Sequence, residues 1–156
     1  MEGTNLKILT NPNPKLRKKS TDLDILELKT KKTKQLLADM KVTMLKKDGA
    51  GLAAPQVGVN KRIIVLNHEG TTLFMINPEI TKLSYKQEVC DEGCLSVVNE
   101  KGELYYSPVS RHKWLNCKYI DQRGKIKKLK ARNGLARAIQ HEIDHLNGIL
   151  FIDYLK

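Results

Sequence analysis

Cysteines, aromatic side chains and long apolar runs are all scarce in this sequence. Its three cysteines among 156 residues are too few and too unevenly spaced for the disulfide framework of a small secreted protein. No stretch approaches the roughly 20 apolar residues that a membrane-spanning helix needs, and the first residues lack a signal-peptide pattern. We therefore expect a protein of the reducing cytoplasm that does not enter a membrane.

Acidic residues are also under-represented relative to basic ones. The chain has 28 Lys and Arg against 17 Asp and Glu, a formal charge of +11. A positive field of this size attracts RNA, ribosomes and other polyanions. The lysines are scattered along the chain, however, and few aromatic residues lie between them to stack on bases. We therefore expect no specific nucleic-acid recognition and only a weak electrostatic association with the ribosome.

The length and the apolar content, 40% of residues, predict a single domain over residues 1–156. Apolar residues at helical spacing predict a helix within 24–47, with the option of a shorter turn before it, and a last helix that Asn133 caps and Asn147-Gly148 ends. Between them lie short segments rich in β-branched or aromatic residues, at 62–66, 73–80, 85–90, 104–106, 115–120 and 125–129. The predicted fold class is α+β with antiparallel strands.

The last predicted helix contains an H-E-x-x-H sequence, from His141 to His145. Residues four apart on a helix point in directions only about 40° apart, so both imidazoles can reach one metal ion. Glu142 then lies beside that ion and close to a bound water, which suits a general base. A helix can also carry two histidines and a glutamate by accident. His68 and His112 are interpreted as ordinary surface residues.

A catalytic metal usually has three protein ligands, so one further ligand is needed. Cys94, in the segment Glu92-Gly93-Cys94-Leu95-Ser96, is the strongest candidate because a thiolate binds metals well and Gly93 permits close approach of the backbone. A small buried apolar residue is the alternative role for this cysteine.

A third segment, residues 49–58, is rich in glycine and alanine and contains Gln56. Small side chains at Ala50 and Gly51 leave room for the backbone of a substrate, and the Gln56 amide offers an uncharged hydrogen-bond donor. The same segment can also be a tightly packed turn with no binding role.

These three segments resemble, in order and approximate spacing, the three signature motifs of peptide deformylases, and the resemblance extends over nearly the whole chain. It implies antiparallel sheets around a central H-E-x-x-H helix, with Cys94, His141 and His145 as the ligands of one divalent metal. The metal of that family is usually Fe²⁺, and Zn²⁺, Ni²⁺ or Co²⁺ can replace it. The implied substrate is the formyl-methionine end of a newly made peptide.

The resemblance also implies roles for individual residues. Glu142 would take a proton from the attacking water and deliver it to the departing amine. The Gln56 side-chain amide and the Leu95 backbone N–H would donate to the oxyanion.

Recognition of the formylated methionine would involve close approach at Gly51 and Gly93, which excludes larger acyl groups. The resemblance suggests pocket walls at Ala50, Cys90 and Ala138.

Two features follow the ligand segment closely, and the first of them departs from the family pattern. Val98 stands where many deformylases have proline. The longer excursion Asn99 to Val109 follows the ligand segment and is expected to alter the substrate groove, while Arg111 could either meet a peptide carboxylate or lie solvated on the surface.

We expect this deformylase-like protein to be a monomer, and two other functions remain open. A peptidase with the same metal and glutamate would cleave unblocked peptides. A noncatalytic module stabilised by a metal, with RNA as one potential ligand, would bind the ion and leave both kinds of peptide intact.

Overall fold

The computed structural model describes residues 1–155, so Lys156, the last residue of the expected domain, lies outside the described part. Three short 3₁₀ turns, at Pro14–Arg17, Ala54–Val57 and Phe151–Tyr154, accompany the regular elements. The α-helices are α1 (Ile25–Leu28), α2 (Lys31–Lys46) and α3 (Asn133–Leu146). The strands are β1 (Gly51–Ala53), β2 (Ile63–His68), β3 (Thr71–Leu83), β4 (Gln87–Glu92), β5 (Ser107–His112), β6 (Trp114–Ile120) and β7 (Ile126–Arg132).

The strands form two sheets in which every neighbouring pair is antiparallel. The larger sheet has five strands in the order β1-β2-β3-β6-β7, and the smaller one pairs β4 with β5. Hairpins connect β2 to β3 and β6 to β7, as expected where turn residues separate short strands. The mixed architecture with antiparallel sheets agrees with the fold class predicted from the sequence.

Helices pack on both faces of the five-stranded sheet. The interior strand β2 is buried on both sides, so its residues 63–66 are all apolar instead of alternating with polar residues. Ile64 and Leu66 pack with Ile139 and other residues of α3 on one face, in a cluster that includes Met75, Leu115, Cys117 and Leu146. Ile63 and Val65 pack on the opposite face with α2, in a cluster that includes Met40, Met44 and Ile76. Side chains of successive strand residues point to opposite faces, which explains this division.

The N-terminal helical region consists of two helices, as the sequence pattern allowed. The Asp24 side chain accepts a hydrogen bond from the Leu26 N–H and begins α1, and Thr30 accepts one from the Thr33 N–H and begins α2. No α-helix among residues 1–155 is long and apolar enough to cross a bilayer.

Two sequence predictions about element boundaries were wrong. Asn133 is the first residue of α3 and not its cap, a position that Arg132 takes. Residues 104–106 do not form a regular strand, and β5 begins at Ser107, inside the expected excursion Asn99 to Val109. The Tyr106 ring instead packs against Gly93. A tertiary contact of this kind overrides β-propensity.

The N-terminal arm connects the segments that the sequence singled out. The Leu9 N–H donates to the Gln56 carbonyl at 2.7 Å, and the Asn11 N–H donates to the Ser96 carbonyl at 2.8 Å. Further along, the Ser20 N–H donates to the carbonyl of Leu146 at 2.8 Å. The arm therefore contacts the glycine-rich segment, the cysteine segment and the end of α3.

Replacement of Gly148, which follows the end of α3, should lower the stability of the fold more than replacement of Gly70. Its φ is +75°, and a Cβ at this position would overlap the carbonyl oxygen of Arg17. Gly70 has a similar φ of +77°, but no other described residue has an atom within 4 Å of such a Cβ. We expect Gly70→Ala to lower the free energy of unfolding by about 1 kcal/mol, and Gly148→Ala by at least about 2 kcal/mol, because it adds overlap to backbone strain.

Urea denaturation of the two variants measures this difference, and Gly70→Ala is the matched control for backbone strain. Equal losses in the two variants would mean that the Arg17 backbone moves away without cost.

Candidate metal centre and active site

Helix α3 presents the side chains of His141, Glu142 and His145 toward the interior. Its apolar positions, such as Ala136 and Ile139, are fully buried against the sheet and fix the rotation of the helix. The two imidazole rings lie with their centroids 5.0 Å apart and their planes at 72°. The four-residue spacing thus brings both histidines to one side of the helix.

Cys94 completes a cluster of three possible metal ligands. It is buried in the segment after β4, and its Sγ lies 3.2 Å from Nε2 of His145. One ligand atom each from Cys94, His141 and His145 lie within 4.8 Å of one another. Three such atoms, one sulfur and two imidazole nitrogens, leave one position open on a tetrahedral ion, which is the usual arrangement of a catalytic site.

The orientation of His141 and the protonation of His145 fit a divalent metal. His141 uses Nδ1 for Glu92, whose Oε1 lies 2.8 Å away, so its Nε2 remains for an ion. Burial lowers the pKa of His145 well below its ordinary value and favours the neutral imidazole that a metal requires. The donor set suits Zn²⁺ or a first-row transition metal better than Mg²⁺ or Ca²⁺, which prefer oxygen.

Glu142 is buried beside the ligand cluster, directly against the backbone of Gly51. A Cβ at Gly51 would lie 2.8 Å from Oε1 of Glu142, so only glycine leaves space for the carboxylate. Within residues 1–155, Oε2 of Glu142 is buried and has no hydrogen-bond partner. Burial raises the pKa of Glu142 to about 7. This carboxylate can therefore exchange a proton near neutral pH.

Gln56 directs its amide toward the cysteine segment. Its Oε1 accepts a hydrogen bond from the Ala53 N–H at 2.9 Å, which leaves the Nε2 group as donor. Nε2 lies 3.0 Å from Oγ of Ser96 and 3.6 Å from Sγ of Cys94. The amide donor thus adjoins the ligand cluster, and Leu95 follows Cys94 directly.

A cavity of about 330 Å³ opens over this cluster. The predicted site residues that line it are Ala50, Gly51, Gln56, Gly93, Cys94, Leu95, Ala138, His141 and Glu142. The structure does not bring Cys90 to the cavity. Cys90 lies two residues earlier than Glu92 on β4 and is exposed, and Asp91 lines the cavity instead.

The excursion after the ligand segment contributes a wall of the same cavity. Tyr106 lines the cavity, and a Cβ at Gly93 would lie 2.5 Å from Cε1 of its ring. Leu104 lines it as well. The expectation that residues 99–109 alter the groove thus has a structural counterpart in these two side chains.

Sequence reasoning missed a buried network of ion pairs behind the ligands. Arg111 donates to both carboxylate oxygens of Glu92, at 2.8 and 2.9 Å, and to Asp144 at 2.6 Å. Arg137 donates to Glu92 at 2.7 Å. Although burial raises the pKa of Glu92, the hydrogen bonds and charges of Arg111 and His141 lower it to about 2. Glu92 is therefore an anion that orients His141.

Neither role expected for Arg111 was correct, because its side chain is only 5% exposed and points into this network. One signal could have revealed it: Arg111 and the buried Val109 are two residues apart on β5 and so share a face. Its partners, 19 and 33 residues away, leave no trace in local spacing.

Comparison with known proteins gives one consistent family. Residues 5–156 match the family model described as polypeptide deformylase. The chain is 42% identical to peptide deformylase 1 of Rickettsia conorii over 97% of its own length and 87% of that protein. A class I type b peptide deformylase of Acinetobacter baumannii, bound to Met-Ala-Ser, superposes with a TM-score of 0.91 at 32% identity, covering 97% of this chain and 99% of that one. The Synechococcus elongatus deformylase in complex with actinonin superposes with a TM-score of 0.87 at 38% identity, covering 97% of this chain and 79% of that one.

Replacing Glu92 by Gln should weaken metal binding. The substitution keeps the shape of the side chain but removes the charge that holds His141 and pairs with Arg111, so we expect metal affinity to fall roughly 10- to 100-fold. Competition with a chromogenic chelator measures this affinity. Glu88→Gln, which changes an exposed carboxylate on the same strand, is the matched control and should bind metal like the unchanged protein. Equal affinities in all three proteins would contradict an orienting role for Glu92.

Proposed function

The chain belongs to the peptide deformylase family, and from this membership and the geometry of the site we propose which residues perform its reaction. The protein is a metal-dependent hydrolase that removes the N-formyl group from the N-terminal formyl-methionine of newly synthesised peptides and releases formate. The observation that supports our assignment is the close approach of Cys94, His141 and His145 beside a buried oxygen of Glu142 that has no partner among the described residues.

The metal ligands are Cys94, His141 and His145. A divalent ion held by these residues would supply a Lewis acid for the activation of water and the polarisation of the formyl oxygen. We propose Fe²⁺ as the native ion, with Zn²⁺, Ni²⁺ or Co²⁺ as possible replacements in purified protein. The Cys94 thiolate and two imidazoles are ligands that all four ions accept.

Glu142 is the general base and then the general acid. Its carboxylate receives a proton from the attacking water and delivers that proton to the amine when the bond between formyl carbon and nitrogen breaks. Two features prepare Glu142 for both steps: its raised pKa, and a position held by the backbone of Gly51.

Gln56 and Leu95 stabilise the oxyanion that forms on the formyl carbon. The side-chain oxygen Oε1 of Gln56 accepts a hydrogen bond from the Ala53 N–H, so the amide nitrogen keeps its direction toward the cysteine segment. Fixed donors of this kind need no reorganisation during the reaction, which makes them effective in a water-excluded site. The Leu95 backbone N–H is the second donor.

Substrate selection follows from the small residues around the cavity. Gly51 and Gly93 bring backbone close to the reacting group and leave space for formyl but not for larger acyl groups. Ala50 and Ala138 leave room for an unbranched thioether chain. The Met-Ala-Ser ligand of the Acinetobacter baumannii enzyme supports a methionine at this position. Cys90 is not part of this proposal because its exposed side chain lies away from the cavity.

At the level of the whole protein, we propose a single catalytic domain over residues 1–156 that works as a monomer in the cytoplasm. Its association with the ribosome is weak and electrostatic, and it should therefore decrease as salt concentration rises.

Formate release tests the catalytic assignment. Anaerobically purified, Ni²⁺-loaded protein should release formate from a formyl-Met tripeptide and leave the acetylated and unblocked tripeptides intact. Glu142→Gln should lower kcat roughly 10²- to 10⁴-fold with the metal content unchanged, because it removes only the proton acceptor. Cys94→Ala should lose both metal and activity.

Glu88→Gln, an exposed change of the same chemical type, is the control and should keep full activity. Undiminished turnover in Glu142→Gln would remove Glu142 from its role, and cleavage of the unblocked peptide would favour a peptidase.

The identity of the metal predicts a sensitivity to oxygen. Fe²⁺-loaded protein should lose activity in air or peroxide, while the Ni²⁺-loaded form should keep it under the same exposure to air, because Fe²⁺ and the Cys94 thiolate are oxidised together more readily. Formate release and metal content are followed over time. If protein purified anaerobically from its source is indifferent to air, Fe²⁺ is not the native ion.

A further inference from the structure

In the part of the chain that the structure describes, one area of the five-stranded sheet has no helix over it. Helix α2 packs on β1, β2 and the first half of β3, on the face opposite to α3. On β6, Leu115 and Cys117 are buried toward α3, so Trp114, Asn116 and Lys118 point to the other face. Beyond α2 this face carries exposed side chains on the second half of β3 and on β7, while Trp114 and Asn116 of β6 are partly buried.

Basic residues dominate this exposed area. Five of them, Lys82, Lys118, Lys128, Lys130 and Arg132, share the face through their pairing with β6, and we call this set the basic sheet face. All five are exposed, and within residues 1–155 none forms an ion pair with a carboxylate. Glu79, which is paired with Lys118 in the register, is the acidic residue on the same face.

Folding does not explain this concentration of charge. Lys118 lies directly opposite Lys128 in the β6–β7 register, and like charges at directly opposed positions destabilise an antiparallel pair. A neutral or oppositely charged residue at either position would make the sheet more stable. An anionic partner would remove this repulsion on binding.

An aromatic ring lies beside two lysines of the basic sheet face. The ammonium of Lys130 is 4.8 Å and that of Lys82 5.7 Å from the centroid of the partly buried Trp114 ring. Lys82 and Lys130 are distant from Trp114 in sequence, so the spacing of residues along the chain did not reveal this cluster. Lysines around an indole combine charges for phosphates with a surface on which a base can stack.

We propose that the basic sheet face binds RNA through its phosphates, without sequence preference, with Trp114 as a platform for an unpaired base. Because α3 lies on the opposite face of the sheet, bound RNA leaves the cavity above Cys94 free for a peptide. The proposal depends on none of the catalytic assignments above.

Fluorescence can locate the binding surface, because Trp114 is the only tryptophan of the chain. Titration with an unlabelled RNA hairpin that has a single-stranded loop should quench the Trp114 emission in parallel with the anisotropy rise of the same hairpin labelled with fluorescein. Binding that leaves the Trp114 emission unchanged would place RNA elsewhere and overturn the proposal.

Matched charge variants separate the basic sheet face from net charge. The face variant changes Lys82, Lys118, Lys128 and Lys130 to Gln, and the control changes the exposed α2 residues Lys31, Lys32, Lys34 and Lys41 to Gln. We expect the face variant to bind the hairpin at least about tenfold more weakly at low salt. The slope of log binding constant against log salt concentration should be smaller in magnitude by about three. The control should stay within about threefold of the unchanged protein. Equal weakening in both variants would overturn the proposal.

Formate release verifies that both variants are folded, since neither set of residues belongs to the catalytic site. Vesicles rich in phosphatidylglycerol, at the same phosphate concentration, test the specificity for RNA. The hairpin should bind more tightly than the vesicles, and vesicles that compete with it on equal terms would overturn the assignment of RNA as the partner.

Discussion

The buried carboxylate of Glu92 is the interaction on which the site most depends. It accepts hydrogen bonds from Arg111 on β5 and Arg137 on α3, and it lies 2.8 Å from Nδ1 of His141. These contacts connect the small two-stranded sheet to the helix that carries the histidines. Removing one partner from a buried ion pair of this kind typically costs roughly 3–5 kcal/mol, because the other charge stays buried and unpaired.

The same network gives the metal ligands fixed positions. Glu92 lies two residues before Cys94, so the strand that orients His141 also delivers the cysteine. Arg111 extends the network to Asp144, the neighbour of His145, and Tyr154 donates to that aspartate at 2.8 Å. The position of Cys94 relative to the histidines is therefore set by the contacts of β4 and β5 with α3, and it does not depend on a loop alone.

The sheet separates two kinds of surface. One face supports α3, the ligand cluster and an apolar core. Strand β2 is buried on both of its faces. The opposite face is covered by α2 over part of its area, and the remainder carries the lysines around Trp114. Catalysis and the proposed RNA binding can coexist because a strand directs alternate side chains to opposite faces.

The sequence determined the elements that depend on local spacing. Residues four apart in α3 had to bring His141 and His145 together, and Asn147-Gly148 had to end that helix, because helix geometry is the same in any fold. The chemistry of Cys94 and Gln56 made them candidates, and the family resemblance gave their roles as metal ligand and oxyanion donor. Only the tertiary structure decided that Cys90 is outside the cavity, that Tyr106 forms its wall, that Arg111 is buried with Glu92, and that lysines distant in sequence surround Trp114. Those outcomes depend on which strands become neighbours and in which register, and pairing of distant segments leaves no local pattern for a sequence to show.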